Sequence, residues 1–99
     1  MELLLVVVSQ AAPREFASSQ NGQNTTVKCV EVTLNDGINE YIASAFAEKA
    51  QKLIDHPLKA GAFIRGSLSF NVRVAKTNDG KEWPVQQVRL NNWGVISEP

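Results

Sequence analysis

The tripeptide Asn-Asp-Gly occurs twice in this chain, at Asn35–Gly37 and Asn78–Gly80, each time between runs with the pattern of extended chain. Asp-Gly is a strong hairpin signal, because glycine tolerates the positive φ that a tight turn demands. Before the first turn, Val27–Leu34 alternates Val30, Val32 and Leu34 against Cys29, Glu31 and Thr33, the period of a half-buried strand. After it, "INEYIASAF" runs on as the partner strand. Before the second turn, "AFIRGSLSFNVRVAK" sets Ile64, Leu68, Phe70, Val72 and Val74 on one face and Phe63, Arg65, Ser67, Ser69, Asn71 and Arg73 on the other. Gly66 in mid-run suggests a bulge or a sharp bend. Beyond that turn, "PVQQVRLNNWGVI" points Val88 and Leu90 inward and Gln87, Arg89, Asn91 and Trp93 outward.

The remaining segments complete the order. "MELLLVVVSQ" contains an apolar run of only Leu3 to Val8, with Glu2 before it and no basic residue. That run is too short to span a bilayer and has the wrong flank for a signal peptide, so it reads as a buried first strand of a cytoplasmic protein with no membrane partner. "SQAAPREFASSQNGQNTT" is a polar connection that suits a hairpin or a mobile loop. In "AEKAQKLIDHP" the period changes: Ala50, Leu53 and Ile54 recur at helical spacing, Glu48 and Lys52 form an i, i+4 pair, and Pro57 stops the helix.

Three strands, one short helix and a long two-stranded hairpin is the order of an OB-fold, an all-β five-stranded Greek-key barrel with its helix between strands three and four. With 43% hydrophobic and 20% charged residues the composition is that of a folded domain. Residues 1–99 are expected to form one such domain, with a radius of gyration of roughly 13 Å if compact.

Formal net charge is zero, so the field of the whole molecule favours no polyanion. Its distribution is uneven. Residues 57–97 carry Lys59, Arg65, Arg73, Lys76, Lys81 and Arg89 against Asp79 and Glu82 alone, and the second turn lies among them. Catalysis and metal binding find no support. His56 is the only histidine, Cys29 has no Cys or His at ligand spacing and no disulfide partner, and neither a phosphate loop nor a nucleophile motif is present. No cofactor is expected.

Several stretches resemble the bacterial single-stranded DNA-binding protein family. "MELLLVVV" sits where that family has its first strand, "PREFASSQNG" is similar to its Pro, Arg/aromatic, Asn/Ser-Gly stretch, and "FAEKAQKL" to its entry into the helix. "LKAGAFIRGSL" closely resembles its Leu-x-x-Gly-x-x-(Val/Ile)-x-Gly-x-Leu run, and "NDGKEWPVQQVRLNNWGVI" its last hairpin and strand; "AGAFIRGSL" is the most specific match. Two of the family's aromatic positions fall near Glu40 and Arg73 here, and its glycine-rich linker and acidic tip do not follow Ser97-Glu98-Pro99. A tailless chain of this kind also resembles the primosomal replication protein N group.

The resemblance implies binding of single-stranded DNA, with RNA left open, by a homodimer or homotetramer. Binding a single strand needs cations for phosphates and exposed rings for bases. Arg14, Arg65, Arg73, Lys76, Lys81 and Arg89 are the candidate cations, and Phe16, Phe46 and Trp83 the candidate rings. The competing roles are satellite core for Phe16 and Phe46 and a barrel cap for Trp83. The alternative function is a protein-interaction OB domain, an accessory subunit of a replication or primosome complex.

Overall fold

A computed structural model describes residues 2–20, 22–76 and 78–99, with the side chains at positions 16, 18–20, 23–25, 73, 75 and 76 outside the description. The first apolar run is β1 (Glu2–Gln10), and the polar connection proves to be a hairpin of β2 (Arg14–Gln20) with the first half of β3 (Gln23–Asn35). β4 (Glu40–Phe46), α1 (Glu48–Asp55), β5 (Phe63–Lys76) and β6 (Glu82–Ser97) follow. Both Asn-Asp-Gly turns use their glycine as expected, with φ of 100° at Gly37 and 83° at Gly80.

The strands run in the order β1-β5-β6-β4-β3-β2, and a further pairing of β1 with β3 closes five of them into the expected Greek-key barrel. β2 continues the path of β1 after a break at residues 11–13 and lies along β3 only. Closure depends on a short parallel contact between β4 and β6, Ala43 opposite Val88 and Ser44 opposite Arg89. Inside lie Leu5, Val7, Val30, Val32, Leu34, Ile64, Leu68 and Leu90 from the strands, with Ala50 and Leu53 of α1 closing one end. Each large side chain so buried contributes roughly 1.5–3 kcal/mol.

α1 is tied to β1 by one side chain. A register irregularity at Val8 lets Gln10 donate from Nε2 to the Leu53 carbonyl at 3.0 Å and accept the Leu58 N–H on Oε1 at 2.9 Å. One amide thus satisfies a carbonyl of the last helical turn and the amide of the chain leaving it. At the other end of the barrel, Asp36 organises the β3–β4 loop. Its Oδ1 accepts the N–H groups of Ile38 (2.8 Å) and Asn39 (2.6 Å), and its Oδ2 the Tyr41 hydroxyl (2.9 Å). The Asn39 and Ile38 amides, followed by the Tyr41 hydroxyl, hold the Asp36 carboxyl below its usual range. This loop delays β4 until Glu40, so Ile38 is an exposed loop residue and not the first residue of a strand.

Two expectations about facing need correction. Trp93 was expected outward by simple alternation, but it packs against the core cluster. β6 pairs Leu90 with Leu68 and Asn92 with Ser67, so Asn91 is an extra residue and the alternation shifts by one. Trp93 consequently lies opposite buried Gly66, and the Lys52 ammonium of α1 sits 5.5 Å from its ring centroid. The inward stripe of β5 also leaves the core earlier than expected. Phe70 reaches the rim, edge-on to Tyr41 at 5.8 Å, whereas Val72 and Val74 are 70% and 61% exposed. β5 and β6 outrun the barrel and project as a two-stranded arm, which raises the radius of gyration to 15.0 Å.

Candidate nucleic-acid interface

The outward faces of β3, β4 and β6 form the floor of an open groove of about 630 Å³, with β2 as one wall. Strand register assembles it. Arg14 of β2 lies opposite Cys29 of β3, Cys29 lies opposite Phe46 of β4, and Arg89 of β6 is paired with Ser44, two residues from Phe46 along the same face. Arg14, Cys29 and Phe46 therefore form one row across three strands, and Arg89, level with Ser44 in the next row, leans back over the Phe46 ring. At about 4.8 Å per strand, the groove face from β2 to β6 is roughly 14 Å wide. Ser44, Ile42 and Gln87 extend the floor on one side of it.

Two contacts set the chemistry of the row. The Arg89 guanidinium lies over the Phe46 ring, 4.8 Å from its centroid, so a cation and a π-face are presented together. Arg14 forms an ion pair with Glu31, which projects from β3 into the same groove. Glu15 also lines it, so the two guanidinium groups share the groove with two carboxylates. Cys29 is buried in the floor. Among the described residues no group of three or more His, Cys, Asp or Glu is placed to hold a metal ion.

The other expected site residues divide by location. Trp83, Val85, Gln87 and Arg89 alternate along β6 with no irregularity between them, so Trp83 continues the groove face onto the arm. It is 46% exposed. Six residues of strand put it about 20 Å from Arg89, too far for both to meet one nucleotide. Lys81 lies at the arm's tip, its N–H 3.4 Å from Asp79 Oδ1. The side chains of Phe16, Arg73 and Lys76 lie outside the described residues; on the backbone these positions pair with Val27, Val85 and Glu82.

Arg65 does not join the row. It leaves the barrel on the β1–β5 side, where its Nε is 3.6 Å from Glu2 Oε1. The alternation of β5 correctly put it outward, but around a closed barrel "outward" spans every direction. Glu31, Ile42 and Ser44 belong to the groove and were not among the expected site residues. Their signal was available in part, since Glu31 stands on the polar face of the Val27–Leu34 alternation, beside Cys29.

No protein-family model matches this sequence, and no curated protein does. Among solved structures the chain is similar to the second OB-fold domain of replication protein A from Methanococcus maripaludis, determined by solution NMR. The two superpose with a TM-score of 0.62 at 19% sequence identity, over 99% of this chain and 84% of that one. Strand order, closure and this likeness together establish that the chain has an OB-fold.

Proposed function

We propose that this protein binds single-stranded DNA without sharp sequence preference, laying the strand across the β2–β3–β4–β6 face and along the β5–β6 arm. The observation that carries the reading is the cluster in which Arg14, Phe46 and Arg89 share the outer face of the barrel, with the Arg89 guanidinium over the Phe46 ring. Guanidinium groups meet phosphates, and a ring with a cation beside it stacks on any base, which favours single strands over a duplex whose bases are already stacked. OB-folds use this face, with the loops at its ends, for oligonucleotides and oligosaccharides. The similarity to a domain of a replication protein supports the nucleic-acid choice. The role is one of binding without catalysis, in the cytoplasm, as a homo-oligomer; the exposed apolar side chains of Leu4, Val6 and Val8 on β1 support self-association.

A titration of labelled oligo(dT) at several salt concentrations tests the proposal. With about four phosphate contacts, log K falls against log salt with a slope near −3, at roughly 0.7 per contact. Equal affinity for duplex and single strand, or no binding at low salt, would sink it. A second reading, a protein-docking accessory subunit, draws on two observations: carboxylates balance the guanidinium groups in the groove, and Val72 and Val74 are exposed on the arm. That reading predicts weak oligo(dT) binding or none, with no preference for single strands over duplex.

A further inference from the structure

Glu31 already occupies part of the Arg14 guanidinium that a phosphate would use. It projects from β3 opposite Ser44, between the Arg14–Cys29–Phe46 row and the Thr33–Ile42 pair, and its carboxylate engages the Arg14 guanidinium. The two partners are unequally anchored, with side-chain exposures of 67% for Arg14 and 30% for Glu31. The carboxylate is thus set deeper in the floor than the guanidinium that reaches to it. A strand running from Arg14 towards Arg89 passes beside this carboxylate and would meet it at the guanidinium.

We infer that Glu31 is an intramolecular competitor for phosphate at Arg14, one that lowers the affinity of the groove and removes one phosphate contact from its salt dependence. The inference rests on the nucleic-acid reading above. An exposed ion pair of this kind is broken at modest cost, so releasing Arg14 tightens binding about two- to five-fold. The same release lets Arg14 displace one more set of counterions from the strand, which steepens the salt slope by about 0.7.

The experiment is a double-mutant cycle read by fluorescence anisotropy of labelled oligo(dT), using wild type, Glu31→Gln, Arg14→Gln and the double variant, each checked by thermal melting. The expected result is tighter binding and a steeper slope for Glu31→Gln, with most of that gain lost when Arg14 is already Gln. Unchanged affinity in Glu31→Gln, beside a wild type that binds, overturns the inference and leaves the nucleic-acid reading standing. An equal gain in both backgrounds also overturns it, because that is a general charge effect with no competition for Arg14. If neither wild type nor Glu31→Gln binds at low salt, the nucleic-acid reading falls and takes this inference with it. Should Glu31→Gln fail to fold, Glu31→Thr, which repeats the strand residue two positions on, serves in its place.

Discussion

Ala47, the residue between the groove and the helix, is, among the described residues, the non-glycine residue in the left-handed half of the backbone map, with φ 54° and ψ −119°. It is held there from both sides. Its N–H donates to the Lys28 carbonyl at 3.0 Å, and its own carbonyl accepts the Gln51 N–H at 3.0 Å, the first hydrogen bond of α1. Neither bond survives relaxation to a common conformation, so the Cβ stays in a region that sterics reserve for glycine. Such a conformation costs of order 1–3 kcal/mol for a residue with a side chain. Replacing Ala47 by Gly removes that cost and adds about 0.5–1 kcal/mol of unfolded-chain entropy, which leaves a net stabilisation of about 1 kcal/mol. For a domain of this size that raises Tm by about 4–8 °C. Urea denaturation of wild type, Ala47→Gly and Ala47→Val measures it, with the valine variant expected to be the least stable because branching at Cβ sharpens the same clash. A glycine variant that is no more stable than wild type, with an unchanged m-value, would refute the strain argument.

In the groove, Phe46→Ala is expected to weaken oligo(dT) binding by about 1–3 kcal/mol with little change in salt slope, since stacking carries no counterion term. Trp83→Ala has the same expected loss; if it lowers Tm instead and leaves affinity unchanged, Trp83 is a cap on the barrel. The Asp36 carboxyl, held below 3.8 by the Asn39 and Ile38 amides and the Tyr41 hydroxyl, stabilises the fold fully above that pH. Its contribution is lost as pH falls through the depressed native value, so acid titration of stability should separate wild type from Asp36→Asn at neutral pH and bring them together once the native carboxylate is protonated. The Tyr41 hydroxyl, raised above 10.0 by its hydrogen bond to Asp36, behaves with the opposite sign: its contribution is full below pH 10.0 and is lost as pH rises through the raised native value. Finally, if the protein self-associates through β1 as proposed, Val6→Glu on the exposed face of that strand should shift its sedimentation towards monomer without unfolding it. A wild type that sediments only as monomer at about tens of micromolar refutes that self-association.

What the sequence by itself determined is what depends on neighbours a few residues apart. Both Asn-Asp-Gly turns, the alternation of Val30, Val32 and Leu34, and a helix that gives way before Pro57 are local features, and each is present. Their order is enough to imply the barrel, because strands of this length with these connections have few other ways to close. Tertiary structure decided what depends on register between distant strands. Alternation put Trp93 outward until the extra Asn91 shifted it, and a bulge is a mismatch between two strands that neither strand displays alone. Val72 and Val74 read as core because nothing in β5 marks where the barrel's rim passes; the rim is set by how far β4 and β6 stay paired. The groove follows the same rule. Arg14, Phe46 and Arg89 were each legible as candidates, but their assembly on one face, the exclusion of Arg65 and the pairing of Arg14 with Glu31 come from closure, which brings residues 75 positions apart together.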